Sequence, residues 1–254
     1  MNSMSVYQHL LQIRKKRGAG FLMLVDPDKT APASLPFLIE KAVEAGVDVF
    51  LVGGSLLLTP DFDAYIKTFK QYAQNIPVII FPGGVHQISA HADAILFLSL
   101  LSGRNADHLV GTQVQASPII HSLNLEPIST AYLLIESGQV TSAEFMSGTR
   151  PLPRHKPEIA VAHALTAQYF GFKLIYLEGG SGAKFSVPPS LIKAIVSTVD
   201  VPVIVGGGIR TPEEAAEKVE AGASFVVTGT ILESQNDSHF IRSFASAIHQ
   251  KENN

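Results

Sequence analysis

Three short stretches of the chain give up side chains just where apolar runs end. Tyr176-Leu-Glu-Gly-Gly-Ser-Gly182 follows the run Lys173-Leu-Ile-Tyr-Leu177, Val201-Pro-Val-Ile-Val205 runs into Gly206-Gly-Gly208, and Ser224-Phe-Val-Val-Thr228 ends in Gly229-Thr230. A strand that opens into glycines presents bare backbone N–H groups to an incoming anion. One such stretch is a tight turn; three in succession describe a phosphate cradle. Thr211-Pro-Glu-Glu214 reads as a capping box with proline at the first helical position, so a helix begins there and points its positive end at the same anion.

Glu178 stands immediately before the first glycine loop. A carboxylate there could take a proton from a hydroxyl of a bound phosphate ester, or it could serve an ion pair or hydrogen bond inside the fold, and the sequence leaves both open. Tyr176, two residues earlier on the strand, shares its side. Far upstream, Asp26-Pro-Asp28 ends the run Phe21 to Val25, and Ser55 closes the Gly53-Gly54 turn after the next run. Hard oxygen donors suit Mg²⁺, which takes one or two carboxylates and completes its shell from substrate phosphates. Equally, Asp28 can cap the turn that follows it. Arg104, Arg150, Arg154 and Lys156 are candidates for a second phosphate, or solvated surface charges. The 9 histidines show no metal-ligand spacing.

These residues need a scaffold that brings distant strand ends together. A leading helix is marked by Val6, Leu10, Leu11 and Ile13, before four basic residues. Strands are expected at Phe21 to Val25, Val47 to Val52, Ile76 to Phe81, Ala94 to Leu98, Glu126 to Ile135, Lys173 to Glu178, Val201 to Val205 and Ser224 to Thr228. Helical patterns lie between them: Leu35 to Val43, Asp61 to Ala73, a short one at Gln87 to His91, Asn105 to about Ile120, Glu158 to Tyr169, Leu191 to Val199, one after Thr211, and Phe240 to Ile248. Ser137 to Pro157 reads as one long irregular stretch, a length that points to function. Eight strand–helix units in 254 residues is the arithmetic of a (β/α)₈ TIM barrel. The expectation is α/β, one barrel domain over residues 1–254 with an N-terminal helix; an open doubly wound sheet is the alternative. In a barrel all strand C-termini share one mouth, and the loops after strands seven and eight commonly hold a phosphate.

Composition narrows the partners. Hydrophobic residues make up 46% and charged residues 16%, with a formal net charge of −3, so nothing suggests a nucleic-acid footprint. With no cysteine there is no disulfide, thiolate metal site or thiol nucleophile. Met1 to Gln12 lacks a signal-peptide apolar region, and no apolar run reaches the roughly 20 residues of a membrane span. A cytoplasmic protein is the expectation.

Taken together, Asp26-Pro-Asp-Lys29, Gly53-Gly-Ser55, Ser102-Gly-Arg-Asn105, Tyr176 to Gly182, Val205-Gly-Gly-Gly-Ile-Arg210 and Gly229-Thr230 resemble the geranylgeranylglyceryl phosphate synthase family, which also contains the heptaprenylglyceryl phosphate synthases. The likeness covers nearly the whole chain, in order and spacing, and is closest to the family's larger, second branch. It implies an alkyl transfer. The 3-hydroxyl of sn-glycerol 1-phosphate attacks C1 of a polyprenyl diphosphate, with geranylgeranyl diphosphate the expected donor; an ether forms and diphosphate leaves.

The same resemblance implies Mg²⁺ on Asp26 and Ser55, and glycerol phosphate on Tyr176, Leu177, Glu178, Gly179, Gly180, Ser181 and Gly182 with Gly207, Gly208, Gly229 and Thr230. Glu178 becomes the base. It further implies a homo-oligomer, dimer or hexamer, and a peripheral membrane contact when the lipid product leaves. One position departs from the pattern: some archaeal relatives carry lysine where this chain has Leu24, so that lysine's phosphate contact does not carry over. Two other readings use the same cradle, a barrel isomerase or lyase on a small sugar phosphate and a non-catalytic phosphometabolite sensor.

Overall fold

Eight parallel strands close on themselves in sequence order: β1 (Gly20–Val25), β2 (Val49–Val52), β3 (Val78–Ile80), β4 (Ala94–Ser99), β5 (Glu126–Leu134), β6 (Leu174–Glu178), β7 (Val203–Gly206) and β8 (Phe225–Thr228), with β8 pairing back to β1. This is the expected TIM barrel, seen in a computed structural model that describes residues 4–229 and 237–250. The helices are α1 (Val6–Arg17), α2 (Leu35–Ala45), α3 (Phe62–Tyr72), α4 (Thr112–Ser122), α5 (Ser142–Ser147), α6 (Pro157–Tyr169), α7 (Pro189–Val196), α8 (Pro212–Glu220) and α9 (Ser238–Ile248).

Strand alternation sorts the apolar residues into two cores. Residues such as Leu22, Leu51, Ile79, Leu96, Ile128, Tyr176, Ile204 and Val227 fill the barrel, while Met23, Phe50, Ile80, Leu133, Leu177 and Val226 pack outward against the helices. Leu10 and Ile13 of α1 belong to the inner core, so α1 plugs the floor of the barrel. Its first turn is anchored from within the sheet, where the Glu126 carboxylate accepts from Val6 N at 2.6 Å and Tyr7 N at 3.0 Å, a negative charge at the positive end of the helix.

A buried clasp joins three elements nearby. Asp48 accepts from Arg17 Nη1 at 2.6 Å and from Phe21 N at 2.8 Å, and lies 2.8 Å from His249 Nε2. The far end of the chain's last helix is thereby tied to the first strands.

Two connections differ from expectation. Gln87 to His91 is not helical, so β3 reaches β4 without a helix. The reason is local competition for hydrogen bonds. Ser89 Oγ accepts from His91 N at 3.1 Å, Asp93 accepts from Val78 N at 2.7 Å, and the Gln87 side chain turns inward to another loop. Ser137 to Pro157 is not wholly irregular: Thr141 caps the short helix α5, and an isolated bridge pairs Ile135 with Leu152. The segment is a folded flap.

α4 stands apart from the other helices. It continues from a π turn (Asp107–Gly111), has no side-chain N-cap and carries Pro118. Among the described residues it packs on β4 and has no extensive contact with α3 or α6.

Candidate active site

The mouth at the strand C-termini holds a cavity of about 860 Å³. Asp26, Ser55, Tyr176, Glu178, Gly180, Ser181, Gly182, Gly207, Gly208 and Gly229 all line it. Leu177 does not; its side chain is buried in the outer core, as its place on the opposite side of β6 requires. Gly179 also stays behind the wall, donating from N to Gly206 O at 2.9 Å. Thr230 lies outside the described residues.

The flank around β6 and β7 is made of backbone. Gly207 has φ +83°, and a Cβ there would fall on Glu178 Oε1 and Gly180 N, so only glycine lets the loops after β6 and β7 close against each other. Gly180 N donates to Glu178 Oε1 at 2.5 Å. Arg210 braces the flank from outside, donating to Ala183 O at 2.5 Å, Lys184 O at 3.2 Å and Gly208 O at 3.3 Å. The Thr211 side chain caps α8 as expected, accepting from Glu214 N at 3.2 Å.

Glu178 sits at the floor of this flank. It is level with Leu134 on β5 and Gly206 on β7, and only 5% exposed. Burial raises its pKa above the ordinary glutamate value, although the Gly180 N–H and the Tyr132 and Tyr176 hydroxyls pull the other way. Both phenols are held well above the usual tyrosine range, first by burial and then by the neighbouring Glu178 charge, so they stay protonated donors. Tyr132 lies beside the carboxylate, near enough for each group to shift the other's pKa. Tyr176 Oη lies close enough to feel it yet has no well-aligned partner, leaving a buried hydroxyl facing the cavity. A Cβ at Gly206 would occupy the place of that hydroxyl. With Phe81 the two rings form an aromatic floor, centroids 5.1 to 5.8 Å apart. The reading of Glu178 as a hydrogen-bonded group inside the fold is met by the Gly180 N–H, and the same residue lines the cavity.

The opposite flank is made of side chains. Asp26 is half-buried, accepts from Asp28 N at 3.1 Å and pairs with Lys29 Nζ at 3.0 Å. The Gly53-Gly54-Ser55 turn lies beside it: a Cβ at Gly54 would be 3.5 Å from Asp26 Oδ1. Asp28 is committed elsewhere, accepting from Leu58 N, Thr59 N and Thr59 Oγ1 at 2.6–2.7 Å. Asp28 therefore caps the distant loop after β2, not the turn that follows it in sequence. No cluster of three or more His, Cys, Asp or Glu that could hold a metal occurs among the described residues. One carboxylate and one hydroxyl is nonetheless a donor set that Mg²⁺ accepts when phosphate oxygens complete its shell.

Between the flanks the cavity runs into an apolar bay. Phe81, Leu96, Leu98 and Tyr132 form its inner end, and it continues past β4 beneath α4 between Ile88, Ile95, Ala116 and Ile120. The basic residues proposed for a second phosphate are not there. Arg104 lies on a separate cavity with His163, and Arg154 is packed under Ser186 and Phe185. Arg150 and Lys156 are exposed and do not line the pocket. The cations that reach it are Lys29 and Arg210.

Sequence reasoning placed Tyr132 only as an inward, packing residue of strand five, and it missed Gln87. Inward alternation on β5, opposite Tyr176, was a usable signal for the first. Nothing in the pattern marked the second.

The sequence profile of the PcrB family matches residues 11–248. A geranylgeranylglyceryl phosphate synthase of Flavobacterium johnsoniae is 45% identical over 239 residues, covering 94% of this chain and 97% of that protein. One of Thermococcus gammatolerans is 42% identical over 229 residues, covering 90% and 89%. Among solved structures, (S)-3-O-geranylgeranylglyceryl phosphate synthase of Thermoplasma acidophilum, in complex with substrate sn-glycerol-1-phosphate, superposes with a TM-score of 0.90 at 36% identity, over 98% of this chain and 100% of the other.

Proposed function

The chain belongs to the PcrB family, and on that premise we propose that it joins the 3-hydroxyl of sn-glycerol 1-phosphate to C1 of a polyprenyl diphosphate, releasing diphosphate. The observation that carries this reading is the position of Glu178. It is a buried carboxylate with a glycine-built anion cradle beside it and an apolar bay opening in front of it.

Each part of the pocket has a task in that reaction. The phosphate of glycerol 1-phosphate rests on the N–H groups around Gly207, Gly208 and Gly229, with Gly180, Ser181 and Gly182 lining its edge. Its far hydroxyl then lies toward Glu178, which accepts the proton as the ether oxygen forms, a contribution of about 10²–10⁴-fold. The Gly180 N–H orients the carboxylate, the Tyr132 and Tyr176 phenols flank it, and the orphaned Tyr176 hydroxyl offers a bond to the substrate glycerol.

The donor's tail fills the bay, at about 0.8 kcal/mol per buried CH₂, which presents C1 to the alcohol. Asp26 and Ser55 are the residues that would hold Mg²⁺, which when bound neutralises the leaving diphosphate. Lys29, half-exposed and now paired with Asp26, is free to swing to a phosphate oxygen. Geranylgeranyl diphosphate is the proposed donor, and the chain is proposed to work in the cytoplasm as a homo-oligomer that touches a membrane only to release its product. No helix among the described residues is long and apolar enough to cross one.

A product assay tests the reading directly. C15, C20 and C35 diphosphates are offered with each enantiomer of glycerol phosphate, and the expected result is an ether lipid only from the sn-1 enantiomer, with C20 turned over best. Stabilisation by sugar phosphates with no transfer from any diphosphate would replace this reading with that of a sensor or a sugar-phosphate enzyme.

A further inference from the structure

We propose that Gln87 is a positioning residue: from the loop after β3 it holds the turn that carries Ser55 in register with Asp26. The inference rests on the reading of Asp26 and Ser55 as the Mg²⁺ corner. Ser55 is exposed and follows two glycines, a backbone with little stiffness of its own. Its hydroxyl can be placed only from outside.

Gln87 does this with both ends of its amide. The side chain is 0% exposed; its Nε2 donates to Gly54 O at 2.8 Å, and Gly54 N donates to its Oε1 at 3.3 Å. A buried amide costs stability unless its donor and acceptor are met, and here one residue's backbone meets both. The fit is tight in three places. A Cβ at Gly53 would fall on Phe81 O and crowd Gln87 Oε1, and a Cβ at Gly83 would fall on Gly54 O. Asp28 secures the downstream end of the same loop at Leu58 and Thr59. Ser55 is thus suspended between two clamps.

Gln87's neighbours sharpen the case. His86 and Ile88, on either side of it, both line the substrate cavity, so the loop that walls the pocket also fixes the metal-side turn. A leucine would fill the same space; what glutamine adds is the pair of bonds to Gly54. That pair determines where the next residue's hydroxyl points.

The test uses the full chain and Mn²⁺ as a spectroscopic substitute for Mg²⁺. Mn²⁺ binding in the presence of inorganic pyrophosphate is followed by EPR for wild type, Gln87→Leu, Gln87→Asn and Asp26→Ala. Gln87→Leu is expected to weaken Mn²⁺ at least tenfold while the thermal shift by glycerol 1-phosphate without metal is unchanged. In steady state the Mg²⁺ needed for half-maximal rate rises in parallel, kcat recovers at high Mg²⁺, and the KM for glycerol 1-phosphate does not move. Gln87→Asn, one methylene too short to reach both atoms, behaves in the same direction and decides the matter if Gln87→Leu does not fold. Wild-type Mn²⁺ affinity in the Gln87 variants, with Asp26→Ala impaired, overturns the role of Gln87 alone. Wild-type affinity in Asp26→Ala as well overturns the metal corner beneath it. Equal loss of metal and glycerol phosphate binding in the Gln87 variants marks a general loosening and also overturns the inference.

Discussion

The two flanks of the mouth are built by opposite means. Around β6 and β7 the wall is backbone: Gly180 N–H on Glu178, Gly179 N–H on Gly206, and Gly207 in a left-handed conformation with no room for a Cβ. Around β1 and β2 the wall is side chains: Asp26 beside Lys29, with Asp28 and Gln87 holding the loop that ends in Ser55's turn. A backbone flank is rigid because its loops interlock, and it suits an anion that must be held in one pose. A side-chain flank can exchange partners, as the Lys29–Asp26 pair must when a diphosphate arrives. The difference predicts that substitutions in the glycine loops of the first flank damage glycerol phosphate binding, and that loss of the second flank's carboxylate Asp26 damages turnover.

Asp26→Ala is the strongest way to break that division. It should lower kcat by about 10³-fold, the loss of several kcal/mol of charge stabilisation, and leave metal-free glycerol phosphate binding within about twofold. A kcat near wild type would move the metal corner elsewhere. Glu178→Gln comes next, with kcat down by at least about 10²-fold. Because burial raises the Glu178 pKa, the base form exists only above that raised value. The rate of the wild type should therefore fall on acidification starting above the ordinary glutamate range. The stability effect has the opposite sign: the folded state prefers the protonated acid, so the charge costs stability as pH rises, and the amide should raise Tm at neutral pH. A variant both slower and less stable would mean that Glu178 is a structural group.

Gly207→Ala tests the backbone flank itself. Strain of about 1–3 kcal/mol at positive φ, with the Cβ driven onto Glu178 and Gly180, should weaken glycerol phosphate by roughly 5–150-fold in calorimetry without metal. Gly182→Ala is the matched smaller change. Its φ is +71°, but nothing lies within 4 Å of the added Cβ, so only the backbone term remains, about 1 kcal/mol or a fewfold effect. Equal losses at both positions would show that left-handed backbone, not interlocking of the loops, makes the cradle.

The same contrast explains what could be read from sequence. Backbone flanks leave glycines behind, so the cradle and its strand were visible at Tyr176 to Gly182 and Gly206 to Gly208. The barrel was visible because buried parallel strands are unbroken apolar runs. The side-chain flank depends on partners far apart in sequence, so Asp28 read as a cap of its own following turn and its engagement with Leu58 and Thr59 was not visible. Gln87 was hidden altogether: its segment has the composition of a short helix, and only the inward turn of its amide toward Gly54 takes it out of one. Arg104, Arg150, Arg154 and Lys156 failed for the converse reason, since charge in a loop says nothing about which way the loop faces.

α4 forms one wall of the apolar bay, yet among the described residues it has no extensive contact with the helices α3 and α6, and it starts from a π turn with no side-chain cap. That makes it a detachable panel. Replacing its inward residues resizes the compartment for the hydrocarbon, while the carboxylate and the anion seat, fastened to other strands, keep their places.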